Sequence, residues 1–179
     1  MPGNFADKSV VLGDAGNNDL RAAYNDKDGT YMYARGGDDI LRGGSYNDIL
    51  VGGAGNDQYW GGLGADEFRF FASDITAGAK DAIYDLKFFE GDVLYLGGFD
   101  IGEFTKTAGV NAYANGTTAQ ITSFEGLAHV AADSDAVFVT RKGVTDVLYV
   151  HLTFGGVSQT IEISNAYAAY TAAGGLLNI

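Results

Sequence analysis

A nine-residue period between Gly13 and Arg69 constrains this chain more than any other feature. Four units follow one another without a gap: Ala34-Arg-Gly-Gly-Asp-Asp-Ile-Leu-Arg42, Gly43-Gly-Ser-Tyr-Asn-Asp-Ile-Leu-Val51, Gly52-Gly-Ala-Gly-Asn-Asp-Gln-Tyr-Trp60 and Gly61-Gly-Leu-Gly-Ala-Asp-Glu-Phe-Arg69. A fifth, Gly13-Asp-Ala-Gly-Asn-Asn-Asp-Leu-Arg21, lies upstream and fits only with a three-residue insertion in the intervening stretch 22–33. The sixth place reads Asn18, Asp39, Asp48, Asp57, Asp66, and the eighth reads Leu20, Leu41, Leu50, Tyr59, Phe68. A flexible linker has no need of an apolar residue at every eighth place. A fixed period with a recurring apolar position marks a stacked repeat, in which each unit buries its apolar residue against its neighbours.

Composition agrees and narrows the function. Glycine accounts for 27 of 179 residues, 13 of them between Gly13 and Gly64, while proline occurs once and aromatic residues make up 13%. Gly-rich disordered chains are poor in aromatics, so this abundance points to tight turns between short strands. There is no cysteine, which rules out disulfides, thiolate zinc sites and a cysteine nucleophile. A net charge of −12 and a pI near 4.3 oppose binding to nucleic acid and to anionic membranes. No run of 18 apolar residues is present, so membrane insertion by a helix is not expected. The first eight residues lack an apolar stretch of the signal-peptide kind.

The nonapeptide resembles the calcium-binding repeat of the RTX family, G-G-x-G-x-D-x-U-x. That resemblance implies a parallel β-roll in which two nonapeptides make one turn, six residues forming a loop and three a strand, so that each unit stacks on the second unit after it. Asp39 is then expected over Asp57 on one side and Asp48 over Asp66 on the other, with the eighth residues pointing inward. It also implies a ligand pattern: places two, four and six of one unit with places one, three and six of the unit two later, only the sixth using its side chain. One site would take Arg35, Gly37, Asp39, Gly52, Ala54 and Asp57, and another Gly44, Tyr46, Asp48, Gly61, Leu63 and Asp66. Tyr46 stands where the family has glycine. Upstream, Asp14, Gly16 and Asn18 could pair with Ala34, Gly36 and Asp39, with Asn18 in place of the acid. Asp26 and Asp28 fall near the Asp48 loop. An EF-hand over the same stretch is rejected, because its first and twelfth places would be Tyr24 and Arg35.

Stacked strands lie ~4.8 Å apart, and carboxylates at that spacing repel by roughly 3 kcal/mol per pair at an effective dielectric of about 20. Several such pairs would outweigh most of a domain's stability of ~5–15 kcal/mol. A divalent cation reverses that sign. Ca2+ suits loosely arranged carboxylate and carbonyl oxygens, whereas zinc would want His or Cys and magnesium a tighter octahedron. Several Ca2+ ions are therefore expected.

Residues 70–100 resemble the segment that closes the roll in serralysin-type C-terminal domains and in the R-modules of alginate epimerases, through Ile83-Tyr-Asp85-Leu and Gly91-Asp92-Val-Leu-Tyr-Leu96. By that likeness Asp85 and Asp92 complete a last calcium site with Gly62, Gly64 and Asp66; the alternative is that both are solvated turn carboxylates. Residues 101–179 read as antiparallel β, with strands near 119–123, 136–140, 146–154 and 159–163. In the strand 146–154, Leu148, Val150, Leu152 and Phe154 face one way and His151 the other. Residues 123–132 form a short helix or a loop, and a last helix runs from a cap at Asn165 to Gly174. The expected class is all-β: a roll over 1–69, a closing segment over 70–100 and an antiparallel C-terminal region with a short terminal helix over 101–179.

Catalysis has little support. His129 and His151 stand in no metal-ligand spacing, and no G-x-S-x-G or phosphate loop occurs. Two functions remain. The family resemblance implies a calcium-dependent module that folds outside a bacterial cell after type I secretion and stabilises a larger secreted protein. The alternatives are a carbohydrate-binding module of the alginate-epimerase kind and a structural adhesin segment. Binding of an anionic polysaccharide such as alginate would need Arg35, Arg42, Arg69, Lys87, Arg141 and Lys142 on one face, or bridging calcium.

Overall fold

The computed structural model describes residues 8–23, 25–104, 112–133, 135–140 and 146–174. The apolar period is realised as two sheets that share one core. Strands β1 (Ser9–Leu12), β3 (Thr30–Gly36), β5 (Ile49–Ala54), β7 (Glu67–Phe71), β9 (Val93–Phe104) and β10 (Ala112–Ile121) form a six-stranded sheet in that order. The second, seven-stranded sheet runs β2 (Asp19–Arg21), β4 (Ile40–Gly44), β6 (Gln58–Gly62), β8 (Lys80–Ile83), β13 (Val157–Ser164), β12 (Val147–Phe154), β11 (Val137–Thr140). Consecutive repeats thus alternate between sheets and pair in parallel with the repeat after next, which is the arrangement of a β-roll.

Register records every insertion. Tyr31 pairs with Ile49, Ile40 with Gln58 and Ile49 with Glu67, so each of these rungs is two nonapeptides beyond its partner. Ser9 pairs with Thr30 and Asp19 with Ile40, a slightly longer step, and the extra residues lie in the loop 22–29. After the repeats the step lengthens again where Gln58 pairs with Ala82, and further where Glu67 pairs with Val93. The segment 70–100 therefore adds two further parallel rungs. β2 keeps the expected three residues, but β3 to β7 span five to seven, because the opening residues of the next unit stay paired before the loop turns.

The eighth-place residues stack as two inward columns, Leu20–Leu41–Tyr59–Ile83 and Met32–Leu50–Phe68–Leu94, all buried. Tyr59 ties the two sheets together, packing edge-on to Phe68 at 6.2 Å and tilted against Phe70 at 5.4 Å.

Beyond residue 100 the sheets continue. β10 adds antiparallel to β9, and the β12–β13 hairpin joins the other sheet through a parallel pairing of Thr160 with Lys80. Helix α1 (Phe124–Asp133) covers this end, its Leu127 and Val130 fully buried. Leu148, Val150 and Leu152 face the core as expected, but Phe154 at the hairpin tip is 48% exposed. Asn165 does not cap the last helix, α2 (Tyr167–Ala172). It sits at φ +56°, and the Asp146 carboxylate accepts the Ala168 N–H at 2.9 Å instead, reaching the helix start from across the chain. No helix among the described residues is long and apolar enough to cross a membrane.

Candidate metal centre

The sixth-place aspartates are buried. Asp39, Asp48, Asp57 and Asp66 are no more than 2% exposed. Two acids beyond the four repeats are hidden as well, Asp81 at 0% and Asp92 at 3%. The six form two ladders along the roll. In the first, Asn18 N–H donates to Asp39 Oδ1 (2.7 Å), Asp39 N–H to Asp57 Oδ1 (2.9 Å) and Asp57 N–H to Asp81 Oδ1 (2.9 Å). In the second, Thr30 N–H donates to Asp48 Oδ1 (2.6 Å), Asp48 N–H to Asp66 Oδ1 (2.8 Å) and Asp66 N–H to Asp92 Oδ1 (2.9 Å). Each rung holds one oxygen of the carboxylate in the next coil, so a single side-chain type at one place per repeat propagates the ladder.

The ladder N–H does not compensate the burial of these carboxylates, even where Asp48 and Asp92 each accept a second one, from Gly44 and Lys87, both at 2.7 Å. Burial raises every one of the six above the ordinary aspartate range, Asp57 and Asp66 to about 7 and Asp81 to about 8; the neighbouring acids push the same way. Among the described residues two buried carboxylate oxygens have no hydrogen-bond partner, Asp39 Oδ2 and Asp57 Oδ2. The Tyr59 hydroxyl near Asp57 opposes the upward push only slightly and makes no hydrogen bond of proper geometry with Oδ2. An unpartnered carboxylate oxygen away from water is among the costliest groups a fold can contain. Glycine at the first place makes the space. A Cβ at Gly52 would stand 2.6 Å from Cγ of Asp57, and one at Gly61 would stand 2.9 Å from Cγ of Asp66.

Two of the expected carbonyls link neighbouring coils. Ala54 O accepts Gly37 N–H and Gly44 O accepts Leu63 N–H, each at 3.0 Å, leaving each carbonyl a second lone pair. The second loop place takes φ of +103° at Gly53 and +101° at Gly62, and Arg35 adopts +81° at the same place despite its side chain. Gly44 and Tyr46 do not share this left-handed geometry, so the unit 43–51 turns differently, with Tyr46 laid against Gly64. Upstream, the coil 13–18 is stacked on 34–39 through Asn18 N–H, and Gly36 N–H points at Asp14 O (3.4 Å). Asp14 itself is exposed and bonded locally to Gly16 and Asn18. Below Asp48 the place of the acid is held by Thr30, whose hydroxyl donates to Asp26 (3.0 Å). The Lys8 ammonium there bridges the carbonyls of Asp28 and Asn47.

Asp85 and Asp92 both reach the Asp66 loop. The Asp85 carboxylate accepts the N–H groups of Gly61 (2.8 Å) and Gly62 (2.9 Å), while Asp92 also takes Lys87 N–H at 2.7 Å. Gly64 lies close beside the Tyr46 backbone. Asp81 and its partner Gln159 were not among the expected residues. The Gln159 side-chain amide donates to Asp81 Oδ2 and accepts Thr76 N–H at 3.0 Å. Asp81-Ala-Ile83 keeps the acid-x-apolar signature of the repeat, but displaced from the nine-residue register by the longer stretch before it.

Among the described residues no three His, Cys, Asp or Glu side chains cluster as a metal-binding group. What the ladders offer instead is paired buried carboxylates, hard oxygen donors of the kind Ca2+ takes. Residues 33–68 match the RTX calcium-binding nonapeptide repeat in four copies. These four units are RTX repeats. No curated protein matches the chain. Among solved structures, the extracellular lipase LipA from Serratia marcescens is similar at a TM-score of 0.50 and 17% identity, over 95% of this chain and 21% of that one. This chain thus spans about a fifth of the lipase's length, and the likeness concerns the fold: the RTX coils and the strands that close them.

Proposed function

We propose that this chain is a calcium-binding RTX module that folds on Ca2+ outside the cell and supports type I secretion and stability of a larger secreted protein, without catalysis of its own. The observation that carries it is the pair of orphaned oxygens, Asp39 Oδ2 and Asp57 Oδ2, on neighbouring rungs of one ladder. Bound Ca2+ would supply the positive charge that lets neighbouring carboxylates ionise together. Asp39 with Asp57, and Asp48 with Asp66, would hold it, with loop carbonyls of Arg35, Gly37, Gly52 and Ala54 on one side and of Gly44, Tyr46, Gly61 and Leu63 on the other. Asp85 and Asp92 extend the second set at Asp66, and Asp14, Gly16, Asn18, Ala34 and Gly36 are the weakest candidates, since Asn18 brings no charge.

Where Ca2+ is scarce, the acids keep the chain extended and able to thread; at the ~10⁻⁴–10⁻³ M affinities of extracellular modules it folds after export. Circular dichroism with and without calcium tests this: a spectrum already β-rich in metal-free buffer at a pH of about 8, where these acids ionise, would overturn it.

The polysaccharide reading draws no support from charge placement. Arg42 lies on the seven-stranded sheet, paired with Asp19, whereas Arg69 lies on the six-stranded sheet, paired with Glu67 at 2.7 Å. Lys87 is engaged by Glu90 at 3.2 Å, and Arg141 and Lys142 fall outside the described residues.

A further inference from the structure

The first ladder treats its three acids unequally. Asp39, Asp57 and Asp81 are alike in burial, and each gives Oδ1 to the N–H of the coil before it. At Asp39 and Asp57 the second oxygen has no partner. At Asp81 that oxygen is taken by the Gln159 amide, a residue 4% exposed and 78 positions along the chain. Strand β13, which carries Gln159, continues the sheet beyond β8 and sets Ile161 directly beside Asp81, where a further coil would set an acid. The other end of the same amide accepts Thr76 N–H, so the side chain cannot swing away without losing two partners.

We propose that Gln159 seals the first ladder: its amide takes the second oxygen of Asp81, the one that Asp39 and Asp57 leave open to a cation, so that the column of ions stops short of Asp81 and the β12–β13 hairpin docks on the ion-free end. This rests on the calcium reading, and it gives the C-terminal strands a role at the metal column. The amide satisfies that oxygen without bringing a charge of its own, whereas a second acid in its place would demand another ion.

The test uses the whole chain at saturating calcium, with ions counted by native mass spectrometry and amide hydrogen exchange followed strand by strand. Gln159→Met removes the amide at similar size. Exchange in β13 is expected to quicken at least tenfold while β4 and β6 keep the parent's protection. Gln159→Glu places a second carboxylate against Asp81, and this variant is expected to bind one ion more than the parent and to regain β13 protection only as calcium rises. Parent-like exchange in Gln159→Met, or an unchanged ion count in a folded Gln159→Glu chain, overturns the proposal. A parent that binds no ions while folded sinks the calcium reading instead, and the Met variant still reads the amide contact alone.

Discussion

Asp57 donates its amide N–H to the carboxylate of Asp81 across 2.9 Å, although 24 residues separate them and both side chains are shut off from water. Within one residue the backbone serves the next rung and the side chain serves the previous one. Charge and hydrogen bonding are therefore separable at Asp57, and the two can be tested apart.

Asp57→Asn keeps an oxygen to accept Asp39 N–H and removes the charge. In metal-free buffer near pH 8 the variant is expected to be more folded than the parent, because a buried ion without a partner has been deleted. With calcium the order reverses: the midpoint of a calcium titration followed by circular dichroism should rise by roughly tenfold, about 1.4 kcal/mol. Equal shifts in both conditions would mean that Asp57 acts only through packing.

Acidity should substitute for metal. Burial lifts Asp57 and Asp66 to about 7 and Asp81 to about 8 in the folded state, well above the ~3.9 of an unfolded aspartate. The folded form therefore binds protons more tightly than the unfolded one, and the stability these groups contribute is fully present below about pH 4 and lost as pH rises through about 7 to 8. Metal-free samples are expected to gain β signal as pH falls from about 8 to about 5. Saturating calcium should flatten that dependence, because the ions hold the carboxylates charged.

Gly52→Ala should destabilise the calcium-loaded fold by about 1–3 kcal/mol, the range for forcing a methyl group into filled space. The new Cβ meets the Asp57 carboxylate. Gly36→Ala serves as the control, since its Cβ would lie 3.5 Å from Ala54 O in ordinary contact. Urea melts of the two variants at one calcium concentration compare them directly.

The single tryptophan offers an optical probe. Trp60 is stacked on Tyr84 at 4.3 Å with 9° between the rings, and the Arg42 guanidinium lies over it at 5.1 Å. Arg42 and Trp60 come from β4 and β6, and Tyr84 follows directly on β8, so the stack exists only when those strands are aligned. Trp60 emission is expected to change with calcium at the midpoint seen by circular dichroism, and Tyr84→Ala should blunt the change.

How far the fold could be read beforehand depends on where periodicity holds. From Ala34 to Arg69 the acid at place six and the apolar residue at place eight repeat without interruption, and the stacking of Asp39 on Asp57 and of Asp48 on Asp66 follows. Asp81 escaped because the stretch before it is too long for the period, although Ile83 two positions later keeps the apolar mark. Gln159 carries no local signal: it lies far along the chain from Asp81, and the two meet only when β13 is laid beside β8. Asn165 looked like a cap by residue type, yet the folded chain gives that work to Asp146. Local patterns report neighbours in sequence; contacts between a coil and a distant hairpin do not.

The coils keep the same inward columns whether the step from one rung to the next is two nonapeptides or something longer. Extra length between parallel rungs is absorbed at 22–29, 72–79 and 84–91, between a finished strand and the next rung. Residues 25–28 offer the natural splice point: a peptide grafted there would ride on the outside of the roll while the rungs beneath stay in step, whereas 72–79 and 84–91 carry Thr76, Asp85 and Leu86, which hold the closing rungs.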